Sequence, residues 1–346
     1  MIVFLSRREC AHCTRSGNSA VFIHLNLKSF ENMFPLSILI GKLAPAYVYV
    51  LAGYLAKRLT PIREKWIAHC LFYVFIPMTV FKGALSSDAG HFLILTGLAL
   101  MTSCFLAVAG FYLRKKFDGR LAPGMVSCLF SYLNIGWFGI PIVQAVYGPE
   151  GAAIMTAFYV GGMLFGNTIG YSLATAGEGS WVKGLSKLIK IPSIYAVVIA
   201  SGLKLGFVGS DHLILERAGF LLKFGTLMTS ICGMGLVGMS IAYTQFRKVP
   251  WGMLGQLLAW RFACILLLTS SLQAILLPIG VITALDARIY LLFAALPIAA
   301  NLLVFSAKDS KGQVEYELVG IALFASTVLS FVLLLAAIYL PHLFLS

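Results

Sequence analysis

Polar and helix-breaking residues interrupt an apolar stretch in the segment SYLNIGWFGIPIVQ, residues 131–144, where Asn134, Gly136, Gly139 and Pro141 stand close together. In a helix interior, each glycine costs about 1 kcal/mol and a proline about 3 kcal/mol relative to alanine. A broken helix frees backbone N–H groups and a positive dipole end, and both suit an anion. The Asn134 amide can donate as well, and the glycines allow close approach of a ligand. The pattern indicates an anion-binding site.

A second interruption occurs in ALPIAANLLVFSA, residues 295–307, which contains Pro297 and Asn301. Counted from the starts of their apolar segments, Asn134 and Pro297 both lie about 15–20 Å deep, near the middle of a bilayer core of about 30 Å. Two interrupted helices at corresponding positions of two halves are the best sequence indication of a transport site. For either break alone, the alternative is a packing kink whose polar groups are satisfied within the protein. The occurrence of two such breaks favours a transport site over a packing kink.

Three further residues are candidates for the same site. Ser131 and Tyr132 directly precede the first break and can reach a ligand there. Arg261, in LLAWRFACILL, lies about 15 Å along a helix that enters near Trp251. No acidic residue is predicted at that depth, although a buried arginine needs a partner. Its partner is therefore either an anionic substrate or a carbonyl-bearing helix end at one of the breaks.

The composition indicates an integral membrane protein. Apolar residues make up 60% of the 346-residue chain and charged residues 11%, whereas a soluble domain has about 25% charged residues. The net charge of +13 comes from basic residues in short loops, which membrane topology explains without nucleic acid. Cys10 and Cys13 alone make a weak zinc motif, so we expect neither a metal nor a cofactor.

Ten apolar blocks are long enough to span a bilayer. We predict an all-α protein with spans at 35–56, 66–86, 91–113, 122–147, 152–175, 191–208, 219–243, 251–279, 287–306 and 318–341. Basic residues concentrate after the odd-numbered segments, as in Lys57, Arg58, Arg63 and Lys65 after the first. The positive-inside rule then places the odd-numbered loops in the cytoplasm and both termini outside. We expect the cell inner (plasma) membrane as the location.

Ten spans divide into two units of five, and a five-helix unit ends on the opposite side from its start. The second unit is therefore inverted, as in many secondary transporters. We predict a first repeat at 33–176, a cytoplasmic linker at 177–189 and a second repeat at 190–346. Residues 1–32 carry basic residues on the predicted outer side, so we interpret them as a disordered extension, with Met33 as the candidate true start.

The motifs and their order resemble the auxin efflux carrier family, which includes the plant PIN-type carriers and many bacterial permeases. Asn134-Ile-Gly136-Trp-Phe-Gly139-Ile-Pro141 resembles its fourth-helix signature, and Pro297-Ile-Ala-Ala-Asn301 its ninth-helix pattern. FIPMTVF and APAYVYVLAGYLAKR resemble its second and first helices, so the resemblance covers about residues 33–342. The chain departs from the family in segment 7, where MTSICGMGLVGMS has no proline, and its short linker resembles the bacterial members.

The resemblance implies a fold in which broken helices 4 and 9 cross. Helices 1, 2, 6 and 7 would form a scaffold that holds a dimer contact, and helices 3–5 and 8–10 a moving transport unit. It also implies small organic anions as substrates, such as dicarboxylates or indole acids. We expect the lipid bilayer and a second copy of the chain as the other partners.

The positions of the acidic residues distinguish between transport without ion coupling and ion-coupled transport. Each Asp and Glu lies in a predicted loop, in a tail or close to a helix end, whereas ion-coupled carriers usually hold carboxylates within the membrane. We therefore predict anion transport by alternating access without an ion gradient, with a proton- or sodium-coupled transporter of the same fold as the alternative. A membrane-embedded enzyme is a distant alternative, because no paired His, Asp, Glu or Cys lies at depth.

Overall fold

The computed structural model describes residues 36–117, 121–174, 191–206, 216–242, 250–302 and 312–339. The predicted extension 1–32, the linker 177–189 and several basic loop residues lie outside these ranges. The described part is helical, and the β pairing within it is limited to the isolated bridge between Leu133 and Ile298. The all-α class predicted from the sequence is confirmed for this part of the chain.

The helices follow the apolar blocks of the sequence. We label them α1 Leu36–Leu59, α2 Glu64–Ser86, α3 Ala89–Leu113, α4 Pro123–Ser131, α5 Ile135–Ala174, α6 Pro192–Gly206, α7 Gly219–Ile241, α8 Trp251–Leu276, α9 Ala284–Leu291 and α10 Gly312–Tyr339. α5 is bent at Gly148, whose φ of 71° is accessible to glycine without strain. α4 and the part of α5 before this bend together match the predicted segment 122–147.

Six of the described helices are long and apolar enough to cross a membrane. They comprise α2, α3, α5, α7, α8 and the Glu317–Ala336 part of α10. The chain is therefore a multi-pass membrane protein. Many leucine, valine and phenylalanine side chains on their outer faces are exposed, as expected for surfaces that contact lipid tails.

Prolines account for two irregular turns inside the helices. A proline lacks a backbone N–H and its ring clashes with the carbonyl four residues earlier, so the preceding turn can widen into a π turn. α2 forms a π turn at Leu71–Phe75, just before Pro77. α5 begins with a π turn at Ile135–Gly139, just before Pro141, and Gly139 N donates to Asn134 O at 2.9 Å. Pro141 therefore shapes the first turn after the break.

Glycines allow close packing between pairs of helices. α1 packs extensively on α7, and a Cβ at Gly238 would overlap the backbone oxygen of Val50. α2 packs on α6 and α7, where the hydroxyls of Thr79 and Thr229 lie 2.9 Å apart. α3 packs on α4 and α5, with Gly161 against the backbone of α3.

Candidate functional site

The two helix breaks lie against each other and pair through their backbones. Asn134 N donates to Pro297 O at 2.9 Å, and Ala299 N donates to Tyr132 O at 3.1 Å. These bonds form the antiparallel bridge between Leu133 and Ile298. Non-helical backbone at membrane depth is tolerated only where it is buried in protein or lines a cavity. Here each break supplies the hydrogen-bond partners that the other one lacks.

Arg261 of α8 joins the helix ends that lead into the two breaks. Its Nε donates to Leu129 O near the end of α4, and its Nη1 donates to Leu296 O after the 3-10 turn that follows α9, both at 3.1 Å. Carbonyl groups at a helix C-terminus carry partial negative charge and lack intrahelical partners. Of the two partners predicted for Arg261, the structure therefore shows the helix-end carbonyls.

A cavity of about 640 Å³ lies beside the paired breaks. Its wall includes one face of α2 from Glu64 to Tyr73, a length of about 15 Å at 1.5 Å per residue. At the breaks it is lined by Ser131, Tyr132, Leu133, Asn134, Ile135, Gly136, Trp137, Ala299, Ala300 and Asn301, and elsewhere by residues of α3, α5 and α7. Its volume lies within the range of about 300–1,000 Å³ that holds small organic ligands.

The charges of this cavity lie at its α2 end. Glu64, Lys65 and His69 line it there, and Glu64 forms an ion pair with Lys57 at 3.0 Å. Lys65 is exposed, so a positive charge lies at this end. At the breaks, the described lining residues include no acidic or basic side chain. The start of α5 contributes backbone amides and the positive end of a helix dipole instead.

Asn134 is the most unusual polar group of the site. It lines the cavity and is only 4% exposed, and among the described residues its Nδ2 has no hydrogen-bond partner. A buried donor without a partner costs about 1–3 kcal/mol. Asn301 lines the same cavity and is exposed. The wall of the site therefore contains an unsatisfied amide donor, close to where the sequence predicts a ligand.

The other predicted cavity-lining residues are already engaged. Ser131 Oγ donates to Ser127 O at 2.8 Å, and the Tyr132 hydroxyl donates to Gly166 O at 2.6 Å. These hydroxyl protons are therefore directed at protein carbonyls. Gly136 lies against the ring of Tyr159, so a Cβ at this position would overlap that ring. Gly136 thus leaves room for an aromatic wall of the cavity.

Four predicted site residues do not line the cavity in the described structure. Gly139 packs near Leu296, with 3.4 Å from an ideal Cβ to the Leu296 side chain. Pro141 lies two residues further along α5, Pro297 supplies the carbonyl that pairs with Asn134, and Arg261 lies among the helix ends. These residues shape or support the crossing, and any role in substrate binding remains a prediction.

Sequence reasoning missed much of the cavity wall. Ser103 of α3, Tyr159 of α5 and Ser240 of α7 line it, as do His69 and Tyr73, whose rings stack with centroids 5.1 Å apart. Single polar residues in apolar helices are a weak signal, because serine and tyrosine also occur there as packed residues. Pro77 was available in the sequence as a signal of an irregular helix, and the π turn that precedes it lies at this wall.

Two interrupted helices that meet beside a ligand-sized cavity in a multi-pass membrane protein define the class of membrane carriers. The family comparison agrees with this class. The chain belongs to the membrane transport protein family, the auxin efflux carrier domain, whose sequence profile matches residues 38–241. The matched range includes the first break and ends before α8 and the second break. A comparison with curated proteins found no match.

Proposed function

We propose that this protein is a secondary transporter that carries small organic anions by alternating access, with the substrate bound where the two helix breaks cross. The observation that supports this most strongly is Asn134, a buried amide donor without a partner beside a cavity of about 640 Å³. An anionic ligand accepts hydrogen bonds only, so it complements such a donor and the N-terminus of α5.

The distribution of charge favours an anion over a cation. Among the described residues that line the cavity, Glu64 is the single carboxylate, and Lys57 neutralises it. Lys65 near the same end would attract an anion from solution. A cation would find no carboxylate at the breaks, where desolvation makes a charged partner most important.

We infer ten membrane spans arranged as two inverted repeats of five. The packing supports a scaffold of α1, α2, α6 and α7, because α1 lies on α7 and α2 on α6. It also supports a transport unit of α3–α5 and α8–α10, because Arg261 and Ser326 tie α8 and α10 to the breaks, with Ile298 N donating to Ser326 Oγ at 3.1 Å. A homodimer through the scaffold and a location in the plasma membrane are part of the same proposal.

The orientation of the cavity follows from the basic loops. The α2 end of the cavity lies next to the last turn of α1 and the loop that follows it, with Arg58 and Arg63, which the positive-inside rule assigns to the cytoplasm. With both termini outside, the structure would represent the inward-open state of an exporter. An inside-negative potential drives an exiting anion with about 2.3 kcal/mol per charge per 100 mV.

Efflux from liposomes tests this function. Purified protein is reconstituted with labelled indole-3-acetate, succinate or benzoate inside, and a potassium gradient with valinomycin imposes an inside-negative potential. Efflux should increase with the potential when proton and sodium gradients are absent. Flux that ignores the potential and follows a proton or sodium gradient would instead establish the coupled alternative.

One observation favours that alternative. Asp286 at the start of α9 is fully buried, and its Oδ2 accepts from Thr283 N at 2.7 Å and lies 2.9 Å from His91 Nε2. Its Oδ1 has no partner among the described residues. A buried carboxylate beside a histidine can carry a proton. If the flux proves to be proton-coupled, Asp286→Asn should uncouple it.

A further inference from the structure

Arg261 places a permanent positive charge inside the helix crossing. The residue lies in the middle of α8 and is 4% exposed. A guanidinium group stays protonated in proteins, whatever its surroundings. Its two hydrogen bonds go to neutral carbonyls, those of Leu129 and Leu296. The described residues place no carboxylate in an ion pair with Arg261, and its Nη2 has no hydrogen-bond partner among them.

This charge lies close to the proposed substrate site. Leu296 O accepts from Arg261 Nη1 at 3.1 Å, and the next carbonyl, Pro297 O, accepts from Asn134 N at 2.9 Å. Because one residue advances the chain by about 3.5 Å, the guanidinium lies within about 10 Å of the Asn134 backbone. The intervening material is protein and not water, so the field of the guanidinium reaches the site with little screening.

We propose that Arg261 is the fixed counter-charge of the crossing, so that the transport unit carries a bound monoanion without net charge. With a monoanion bound, the crossing is electrically neutral; without it, the crossing carries one positive charge. The inference rests on the proposed function, in which α8 and both breaks move together as the transport unit. The membrane potential then acts on the return of the empty unit and not on the movement of the loaded unit.

The proposal accounts for the missing acid partner. Arg261 is needed to hold the negative ends of two helices, and two partial charges of about −0.5 at these ends are of the size needed to stabilise it in the empty state. A helix dipole adds no net charge, so the empty crossing still carries one positive charge, and a bound monoanion neutralises it while the unit crosses the membrane. A dianion would leave one net negative charge, so its loaded unit would still respond to the potential.

Self-exchange of substrate separates the movement of the loaded unit from the return of the empty unit. In self-exchange the unit is loaded in both directions, so the empty unit does not return. Labelled indole-3-acetate at saturating concentration on both sides of the liposome membrane is the monoanionic probe, and succinate is the dianionic one. We expect indole-3-acetate exchange by the wild-type protein to be the same with no potential and with about 100 mV, whereas net efflux increases. A full uncompensated charge would bias the two orientations of the unit up to about 50-fold at 100 mV. Succinate exchange should change with the potential.

Variants test whether Arg261 is the source of this behaviour. Arg261→Lys keeps the charge, so indole-3-acetate exchange should stay insensitive to the potential. Arg261→Gln removes it, so the exchange should become sensitive. Lys115→Gln, which removes an exposed charge at the end of α3, is the matched control and should behave as the wild type. A purely structural role of Arg261 would change folding or rate without changing this dependence on potential.

The outcomes are distinguishable. Wild-type indole-3-acetate exchange that follows the potential as steeply as net efflux overturns the proposal, as does a folded Arg261→Gln variant whose exchange remains insensitive. If Arg261→Gln does not fold, as judged by gel filtration, the wild-type comparison of the two probes decides the matter. Absence of flux for all the tested anions would refute the proposed function itself.

Discussion

Asn134→Ala should weaken anion binding without destabilising the protein. The substitution leaves the backbone bond from Asn134 N to Pro297 O in place and removes only the side-chain amide. A hydrogen bond to a charged group contributes about 1.5–3 kcal/mol, so the affinity should fall about 10- to 100-fold. In the empty protein Nδ2 is buried without a partner among the described residues. Its removal relieves an unsatisfied donor, so the melting temperature should stay the same or increase.

Equilibrium binding of labelled indole-3-acetate in detergent, together with the melting temperature, measures both effects. Asn301→Ala should also reduce the affinity, because Asn301 is exposed to the same cavity. Asn167→Ala is the matched control: it lines the cavity too, but its Nδ2 already donates to Met163 O at 2.9 Å. Its effect on affinity should be clearly smaller. Unchanged binding by folded Asn134→Ala and Asn301→Ala variants would mean that the crossing is a packing feature and the site lies elsewhere.

Two glycine substitutions test the packing on which the site depends. Gly136→Ala places a methyl group against the ring of Tyr159; overpacking of this kind costs about 1–3 kcal/mol and should lower the melting temperature. The same substitution should lower the melting temperature less when it is made in a Tyr159→Ala background, because the ring is then absent. Gly238→Ala forces α1 away from α7 at Val50 O and should lower the melting temperature, whereas Gly255→Ala, with open space at the Cβ position, should leave it unchanged or raise it. If Gly238→Ala and Gly255→Ala changed the melting temperature by the same amount, the close contact of α1 and α7 at Gly238 would be contradicted.

The sequence predicted the helix breaks well, because the responsible residues act locally. Pro141 and the glycines near it disfavour a regular helix in any surroundings, and the structure shows the break where Asn134 stands. The similar depth of the two breaks predicted a shared transport site, and their crossing was implied by the family resemblance. The particular hydrogen bonds, such as the one from Asn134 N to Pro297 O, depend on the placement of α4 and α9, which no local pattern determines.

The cavity wall and the hydrogen-bond partners of Arg261 were predicted less completely from the sequence than the helix breaks were. The face of α2 with His69 and Tyr73 lines the cavity, but its composition resembles that of other interfacial helix ends. For Arg261, the sequence left open a substrate or a helix-end carbonyl, since only the fold brings Leu129 O and Leu296 O to α8. Asp286 was identified only as a residue near a helix end, whereas packing buries it completely.

A structure of the protein with a bound carboxylate anion tests the central claim most directly. We expect density for indole-3-acetate, or another anion that the liposome assay identifies, at the helix crossing. Its carboxylate should lie within hydrogen-bond distance, about 3 Å, of Asn134 Nδ2. It should also approach the first amides of α5 or the amide of Asn301. An anion bound elsewhere, with the cavity beside the breaks empty in a transport-competent protein, would contradict the account.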